Sequence, residues 1–430
     1  MKAKRLSDVQ QLDMITTLPQ AIIETILCLL PIEEAARTSI LSKEWRYKWT
    51  KISNLVFYQF STVKISNEEK ELSLYDQNQP HFYKVARKNK DTRCTLFRAI
   101  HQVLLQRQGP ILEFTLTMST LQTPFEIDQV ILHLSRNHTV KKLTLDFYDP
   151  YSYYLLLPVL PWRHLTDLNI MSCVVNHKPI FNGFGSLTSL SLNYVTISRG
   201  TLMHLLYNCP SLKSLCLRIY ADHLPGDENP SVMELFKCLP VVEDLTTWGD
   251  FISLLVQASV PEELPTSLIH LKYCTINKMC FFDGYGLPFL LFLIKCSPNL
   301  TKIKLEVNCK SINTDCCTEI KPVKLEEHSV NLEEYSVELE EYSVMLEKCS
   351  VMFEEYSCVR LEHLNELEIE DFSNFEPELE FVKFILARSP NLKKVILLTR
   401  EVDKNEESEM LKILLRVPRT SPVEIIVVSY

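Results

Sequence analysis

Glycine is scarce in this chain, with only 8 of 430 residues. Glycine-rich loops of the forms GxGxxG and GxxxxGK[ST], which wrap phosphate groups, do not occur, and this argues against a nucleotide site. Long hydrophobic runs are missing as well. The longest run, Leu287 to Ile294, falls far short of the roughly 20 residues that a membrane-spanning helix needs. We therefore expect no membrane partner.

Excess charge is confined to one segment. The net charge is −9, and residues 325–358 alone hold ten Glu against one Lys. The rest of the chain is balanced, so it lacks the basic face that broad nucleic-acid binding requires. Apolar residues form 46% and charged residues 23% of the chain, as is usual for folded proteins. We expect no nucleic-acid partner.

The 14 cysteines form no recognisable metal or disulfide pattern. No CxxC pair occurs, and Cys274 and Cys280 are too far apart for a zinc knuckle. Ser, His and acidic residues form no nucleophile motif. The first residues lack the apolar core of a secretory signal, so we expect reduced cysteines and a location in the nucleus, the cytoplasm or both. The sequence predicts no cofactor, no metal site and no catalytic residue.

The densest apolar cluster lies between Leu18 and Trp49. Apolar residues recur at helical spacing in its first part, and Pro31 cannot continue that helix. A preceding Thr as the cap and Pro19 at the first helical position favour a helix start there. Two more short helices are predicted to follow, the third capped by Ser42.

Three short helices in about 32 residues are too small to bury so many apolar side chains among themselves. Some apolar surface should remain for another protein, and Trp45, Arg46 and Trp49 are of the residue types that dominate interface hot spots. The alternative is that this stretch is the helical cap of a larger domain with both tryptophans in its core. Composition and periodicity leave both interpretations open.

Several motifs in this stretch resemble the F-box, especially its plant form: LP at 18–19, LP at 30–31, LSK at 41–43 and WR with a following W at 45–49. The resemblance covers about residues 14–55. It implies docking on a Skp-type adaptor of a cullin-RING ubiquitin ligase. The positions that match the docking surface of the family are Leu18, Pro19, Ile22, Leu30, Pro31, Leu41, Ser42, Trp45 and Trp49.

A leucine pattern then repeats at intervals of roughly 22 to 32 residues. The stretch from Leu165 to Val175 fits the leucine-rich repeat template, including its Cys position. Further copies are centred on Leu187, Leu190 and Leu192; on Leu212, Leu215 and Leu217; on Leu268, Leu271 and Tyr273; on Leu300, Ile303 and Leu305; on Leu364, Leu367 and Ile369; and on Leu392, Val395 and Leu397.

These copies predict an α/β fold, namely an irregular leucine-rich-repeat solenoid behind a three-helix F-box. Alternate residues of each short strand point inward, and the stacked strands form a parallel sheet with a return helix in each repeat. Helical patterns end shortly before Pro210, Pro298 and Pro390, where the next strand begins. An ordinary parallel α/β domain is the alternative.

A different repeat, of seven residues, interrupts the leucine pattern. On a helix its leading Leu or Phe residues take position a, His, Tyr or Cys take position d, and the valines fall at f, on the far side. We therefore favour an exposed, partly ordered insertion, with a coiled-coil dimer as the alternative. The leading residues are Leu325, Leu332, Leu339, Leu346 and Phe353, and the valines are Val330, Val337, Val344 and Val351.

Residues 359–430 resemble the FBD domain found at the C-terminus of plant F-box proteins with leucine-rich repeats. The motif LNELEIEDF, a helix over 378–388 and the following SPNL segment match that family, and a last strand is predicted at 423–428. The expected division is an F-box at 14–55, a connecting region at 56–110, repeats at 111–320, the acidic insertion at 321–358 and the FBD segment at 359–430.

The combined resemblance implies a substrate-recognition subunit of a Skp-cullin-F-box ubiquitin ligase, without an active site of its own. The alternative is a non-ligase interaction scaffold with a degenerate F-box. Outward-pointing strand residues are the candidates for substrate contact, because the buried leucines alternate with them. Among these, the basic positions His270, Lys272, Lys302 and Lys304 are predicted to contact a protein substrate.

Overall fold

The computed structural model describes residues 18–30, 32–43, 45–59, 94–118, 125–137, 139–147, 154–155, 162–175, 184–219, 231–256, 268–308, 332–399 and 404–429. The chain divides into two compact units. The first comprises residues 1–153 and 160–169, and the second comprises residues 154–159 and 170–430.

The first unit opens with helix α1 (Gln20–Cys28). It begins directly after Pro19, whose carbonyl oxygen accepts the N–H groups of Ile22 and Ile23 at 2.9 and 3.2 Å. Proline suits this place because the first N–H groups of a helix have no partner within the helix. The predicted Thr cap at position 16 or 17 lies outside the described residues.

A second helix and two 3-10 turns complete the N-terminal stretch. Helix α2 (Ile32–Arg37) leads into a turn at Thr38–Ile40, and another turn covers Lys48–Lys51. The third predicted helix is thus a 3-10 turn, in line with the low helix propensity of its closely spaced aromatic residues. Ser42 does accept the N–H of Trp45, at 3.3 Å.

Three parallel strands follow in the first unit: β1 (Asn54–Tyr58), β2 (Glu113–Met118) and β3 (Lys142–Phe147). Two helices accompany them, α3 over 94–106 and α4 (Phe125–Asn137). Helix α3 lies in the region that the sequence marks only as a connection. The division between the two units falls within β4 (Asp167–Met171).

The second unit contains a long parallel sheet. Strands β6 to β13 pair with their neighbours in chain order, and the short strand β5 pairs with β6. The strands are β5 (Val174–Val175), β6 (Ser189–Ile197), β7 (Ser214–Ile219), β8 (Asp244–Trp248), β9 (Tyr273–Met279), β10 (Lys302–Val307), β11 (Glu366–Glu370), β12 (Lys394–Thr399) and β13 (Glu424–Ser429). The predicted α/β fold with parallel strands is confirmed.

Helices lie between these strands in the chain, and each contributes buried side chains to the core. They are α5 (Arg199–Tyr207), α6 (Val232–Lys237), α7 (Gly249–Val256), α8 (Gly286–Cys296), α9 (Leu332–Glu355), α10 (Glu376–Arg388) and α11 (Lys404–Arg416). The helix predicted over 378–388 is present in α10, with Phe381, Phe384 and Ile385 buried as expected.

Main-chain hydrogen bonds repeat with the strands. The carbonyl oxygen of Lys213 accepts the N–H groups of Glu243 and Asp244 at 2.7 and 2.9 Å, just before and at the start of β8. The carbonyl oxygen of Lys272 likewise accepts the N–H groups of Thr301 and Lys302 at the start of β10. The residue before one strand is therefore hydrogen-bonded to the start of the next strand, as expected where the repeats of a solenoid stack on one another.

A left-handed backbone conformation also recurs within or just after four strands, namely inside β6 and β9 and directly after β4 and β11. Ser172, Tyr194, Lys278 and Asp371 all have φ between 51° and 57°, although none is glycine. In every case the following residue is buried, so the turn directs that residue into the core; these residues are Cys173, Val195, Met279 and Phe372. Non-glycine residues adopt this conformation only where the surrounding structure enforces it.

The register predicted for β9 is wrong. The sequence pattern placed Leu268, Leu271 and Tyr273 in the core. Leu268 and Leu271 are buried, but Tyr273 is 49% exposed, and the inward side chains of β9 are those of Cys274 and Ile276. Two frames three residues apart both look apolar here. Pairing with β8 and β10 selects the later frame, because it aligns Cys274 with the buried residues Leu245 of β8 and Ile303 of β10.

The part of the predicted acidic insertion that is described, residues 332–355, forms helix α9, and its side chains from 343 to 355 other than Cys349 are exposed or half-buried. Cys349 is buried, and the ring centroids of Phe353 and Phe384 of α10 lie 5.5 Å apart. Val344 and Val351 are exposed, so the heptad face predicted for a helix is correct. The helix packs on α10 of its own chain. The first heptad, 325–331, lies outside the described residues.

Candidate protein-interaction surfaces

The core of the N-terminal stretch contains both of its tryptophans. Trp45 and Trp49 are buried together with Ile23, Leu27 and Ala35. Burying an indole removes a large apolar area from water, so these rings stabilise the packing of α1 and α2 on the turn at 48–51. The structure therefore gives both tryptophans a place in the core; a direct contact of either with an adaptor stays a prediction.

Seven large apolar side chains of the same stretch face solvent. We call them the N-terminal patch: Ile22, Ile26, Leu29, Leu30, Ile40, Leu41 and Tyr47. Leu29 is 81% and Ile40 is 87% exposed. Single exposed apolar residues are ordinary, but seven of them within 26 residues of chain indicate an interaction site.

The sequence prediction found three members of this patch, Ile22, Leu30 and Leu41. It missed the other four because it named only the positions that match the docking surface of the F-box family. A usable signal was present in the adjacent apolar pairs at 29–30 and 40–41. Successive residues point about 100° apart on a helix, so one narrow buried face does not hold both members of such a pair.

The remaining predicted adaptor positions lie beside this patch in the chain. Pro19 is exposed, Leu18 is half-buried, and Ser42 is half-buried with its hydroxyl oxygen accepting the Trp45 N–H. Pro31 lies outside the described residues. Their contact with an adaptor stays a prediction.

Arg107, at the C-terminal side of α3, fastens the N-terminal stretch to the rest of the first unit. Its guanidinium donates to the carbonyl oxygens of Ile52 and, at 2.7 Å, of Pro110. Burial lowers the pKa of Arg107 to about 10, which leaves it charged at neutral pH. The sequence offered no signal for this contact, because it joins residues 55 positions apart.

A second candidate surface is one side of the sheet in the second unit. We call it the outer face: the first, third and fifth residues of strands β6 to β11, all of them half-buried or exposed. The second and fourth residues of the same strands are buried. The outer face is therefore the side of these strands on which side chains remain available to a partner.

Lys302 and Lys304 lie on this outer face, as predicted, but their charges are already compensated. The Lys302 Nζ is 2.9 Å from Glu366 and 2.8 Å from Glu368, and the Lys304 Nζ is 3.0 Å from Glu368 and 2.8 Å from Glu370. Burial opposes ionisation of Glu368, yet the hydrogen bonds from both lysines outweigh it and lower the pKa of that carboxyl. The basic and acidic ends expected from the sequence form one ion network across β10 and β11.

The other two predicted substrate positions, His270 and Lys272, precede β9 and are not part of it. Both are exposed, and the Lys272 Nζ lies 2.8 Å from Glu243. Hydrogen bonds from Lys272 and Lys213 lower the pKa of Glu243 to about 2. The strand assignment of these two residues is corrected by the register of β9, and their contact with a substrate stays a prediction.

An arginine that the sequence prediction missed lies near the ends of the outer-face strands. The guanidinium carbon of Arg218 lies 3.8 Å from the ring centroid of Tyr194 and 5.1 Å from that of Trp248. Tyr194 belongs to β6 and Trp248 to β8, the neighbours of β7 on either side. A signal was available in the sequence, since Tyr, Arg and Trp follow the leucine core of three successive repeats.

Within the described ranges, few side chains are arranged for metal binding or for reaction as a thiolate. No set of three or more His, Cys, Asp or Glu side chains there could hold a metal ion. The described cysteines are free thiols, and burial raises the pKa of Cys209 and of Cys274 to about 12, so neither is a thiolate at neutral pH. None of the described helices has the length and apolar character to cross a membrane.

Comparison with known families matches three parts of the chain in succession. The F-box domain matches residues 15–57, the leucine-rich repeats described for the FBD-associated F-box protein At5g56370 match residues 129–226, and FBD matches residues 358–397. The chain therefore contains an F-box, leucine-rich repeats and an FBD segment, and it is similar to F-box/FBD/LRR-repeat proteins. The N-terminal patch lies within its F-box, and the outer-face positions of β6 and β7 lie within the matched repeats.

Individual relatives agree with this domain order. The F-box/FBD/LRR-repeat protein At1g13570 of Arabidopsis thaliana is 29% identical over 463 residues, covering 95% of this chain and 97% of the relative. The F-box/LRR-repeat protein At5g02910 of the same plant is 23% identical, covering 70% and 74%. The F-box/FBD/LRR-repeat protein At2g04230, again of that plant, is 25% identical, covering 52% and 46%.

Proposed function

We propose that this F-box protein is a non-catalytic substrate receptor of a Skp-cullin-F-box ubiquitin ligase. The F-box binds a Skp-type adaptor through the N-terminal patch, and the outer face of the repeat strands holds a protein substrate. The proposal includes a location in the nucleus or the cytoplasm, where such a ligase meets its substrates.

The observation that supports adaptor binding most directly is the N-terminal patch. Ile22 and Ile26 lie on α1, Ile40 lies on the turn at 38–40, and the other four members lie in the adjoining segments, beside a core that is already filled by Trp45 and Trp49. The patch therefore is not needed to complete that core. Covering it with a partner would remove a large apolar area from water, which is the main favourable term in protein association.

Titration of the purified chain with a purified Skp-type adaptor tests this part of the proposal. We expect Leu29→Glu and Ile40→Glu each to weaken binding by roughly thirtyfold or more, the loss typical of a hot-spot residue. Leu105→Glu is the matched control, because Leu105 is 84% exposed on α3, outside the F-box. The control should bind the adaptor like the unmodified chain.

An adaptor that fails to bind the unmodified chain would contradict the ligase function and favour an interaction scaffold. Equal binding by the two F-box variants and the control would instead place the adaptor contact outside the N-terminal patch. Circular dichroism of all variants shows whether a loss of binding comes from unfolding.

A further inference from the structure

Arg218 differs from the other cations on the outer face. Lys302 and Lys304 each have two carboxylate partners, whereas no described carboxylate lies within salt-bridge distance of Arg218. Its described contacts are with the rings of Tyr194 and Trp248. Within β6 to β11 as described, it is thus the one outer-face cation whose charge has no internal counterion.

The two rings hold Arg218 in a state suited to binding. A guanidinium presents its five N–H donors in its own plane, and aromatic rings attract it through its flat faces. Rings that stack on the guanidinium leave those in-plane donors accessible. Because the side chain is already ordered by the rings, a ligand would not need to immobilise a flexible arginine, and this lowers the entropic cost of binding.

The surroundings of Arg218 suit an anion that comes from outside the chain. The amide of the neighbouring Asn193 is already engaged, its nitrogen donating to Ser191 at 2.8 Å and its oxygen accepting from Cys216 at 3.7 Å. The carboxyl group on these central strands, Asp244, accepts from Ser214 at 3.4 Å, at the opposite end of the strand. The other outer-face side chains of β6 and β7 are small or polar: Ser189, Ser191, Asn193, Ser214 and Cys216.

We propose that Arg218 is the anchor for an acidic side chain of a bound protein segment, with Tyr194 and Trp248 fixing the guanidinium. The ligand group is a carboxylate or a phosphate, since both accept two parallel hydrogen bonds from one guanidinium. The inference rests on the proposed function, because it names the chemistry of the substrate that the outer face receives. Lysines in the ion network would first have to lose their own partners.

Fluorescence anisotropy with defined peptide pools tests the proposal. Two labelled nine-residue pools have a central Glu or a central phosphoserine among degenerate flanking positions, and two matched pools have Gln or Ser at that place. We expect the full-length chain to bind at least one acidic pool roughly tenfold more tightly than its neutral match, as one charge-assisted pair provides. The two acidic pools separate a carboxylate from a phosphate preference.

Three variants show whether Arg218 is responsible. Arg218→Gln should abolish the preference, and Arg218→Lys should retain only part of it, because an ammonium group cannot form the paired planar contact. Lys237→Gln, which neutralises an exposed cation on helix α6 and not on the outer face, is the matched control and should keep the full preference. A folded Arg218→Gln variant that still prefers an acidic pool would overturn the proposal, as would a lack of preference in the unmodified chain.

Adaptor binding is measured on the same protein samples. A loss of acidic preference with intact adaptor binding overturns only the role of Arg218. Absent adaptor binding with intact acidic preference overturns the ligase function and leaves the anion site standing. The two failures are therefore distinguishable.

Discussion

At the scale of single residues, close backbone contacts decide which glycines are replaceable. A Cβ atom at Gly249 would lie 2.3 Å from the carbonyl oxygen of Lys278, the left-handed residue at the end of β9. That oxygen belongs to the main chain and cannot rotate away as a side chain could. A Cβ at Gly200, in the first turn of α5, would meet nothing within 4 Å.

We therefore predict opposite results for two alanine substitutions. Gly249→Ala should lower the free energy of unfolding by about 2 kcal/mol through overpacking. Gly200→Ala should leave it unchanged or raise it by up to about 1 kcal/mol, because alanine favours the helix. Urea denaturation followed by circular dichroism measures both. Equal midpoints for the two variants would contradict the close contact at Gly249.

A buried carboxyl in the FBD segment makes stability depend on pH. Glu378 is fully buried near the start of α10, where its Oε2 accepts the N–H of Ser373 at 2.9 Å. Burial raises the pKa of Glu378 to about 8, although hydrogen bonds from main-chain N–H groups of residues 373–375 oppose the shift. A carboxylate near the start of a helix usually accepts a hydrogen bond from the backbone N–H of the cap residue and is exposed to solvent, whereas Glu378 is buried.

We predict that the melting temperature falls as the pH rises from about 5 to above 8. The folded state keeps the Glu378 proton over this window, whereas the unfolded state releases it near its ordinary pKa of 4.5. Unfolding therefore releases a proton, and raising the pH favours unfolding. Glu378→Gln keeps an acceptor for Ser373 without a titrating group, so its melting temperature should vary less across that window. Parallel profiles for both proteins would show that another group is responsible.

At the scale of elements, the ion network makes β10 and β11 depend on each other. Lys302 and Lys304 interdigitate with Glu366, Glu368 and Glu370 across one pair of parallel strands. Four of these side chains are about one-third exposed and Glu368 is 14% exposed, so each pair is worth less than a fully buried one and is weakened by salt. Their sum still favours this register, because a one-residue slip would separate the pairs.

We predict that Lys302→Glu with Lys304→Glu lowers the free energy of unfolding by roughly 2 kcal/mol, since like charges then face each other across the strands. Adding Glu366→Lys, Glu368→Lys and Glu370→Lys restores opposite signs and should recover most of the loss. Thermal melts at low and high salt measure both effects. If the reversed pair alone is as stable as the unmodified chain, the network contributes nothing. Charge reversal here is therefore unsuitable as a test of substrate binding.

At the scale of the whole molecule, the two candidate surfaces belong to different units. The N-terminal patch lies in the first unit, and Arg218 with its two aromatic neighbours lies in the second. The proposed receptor needs both adaptor binding and substrate binding, but the two surfaces have no residue in common. This arrangement predicts that the two binding functions can be removed separately.

We expect Ile40→Glu to lose adaptor binding while keeping its preference for an acidic peptide pool, and Arg218→Gln to do the reverse. In a reconstituted ligase, either change should reduce ubiquitin transfer to a substrate that contains the preferred acidic segment. The double variant should be no worse than the more severe single variant in that assay, because a receptor fails once either end is lost. Loss of both binding functions by one folded single variant would contradict this separation.

Much of the architecture followed from the sequence because it depends on local patterns. The leucine spacing predicted the parallel strands, and proline after each helical pattern predicted where the next strand begins. The F-box motifs identified the N-terminal stretch, and the match to the F-box domain at residues 15–57 agrees with that assignment. Each of these features depends on residues that are close together in the sequence, so a short segment is enough to predict it.

Only the tertiary structure decided which of several apolar frames and charges matter. At β9 two frames were equally apolar, and pairing with neighbouring strands selected Cys274 over Tyr273 for the core. Lys302 and Arg218 look alike as outward cations in the sequence. In the folded chain, Lys302 pairs with two carboxylates of the neighbouring strand, whereas Arg218 lies against two aromatic rings of its neighbouring strands. The sequence does not show this difference, because contacts across a sheet join residues tens of positions apart. The sequence determined the repeats by itself, and folding decided which side chains were left for a partner.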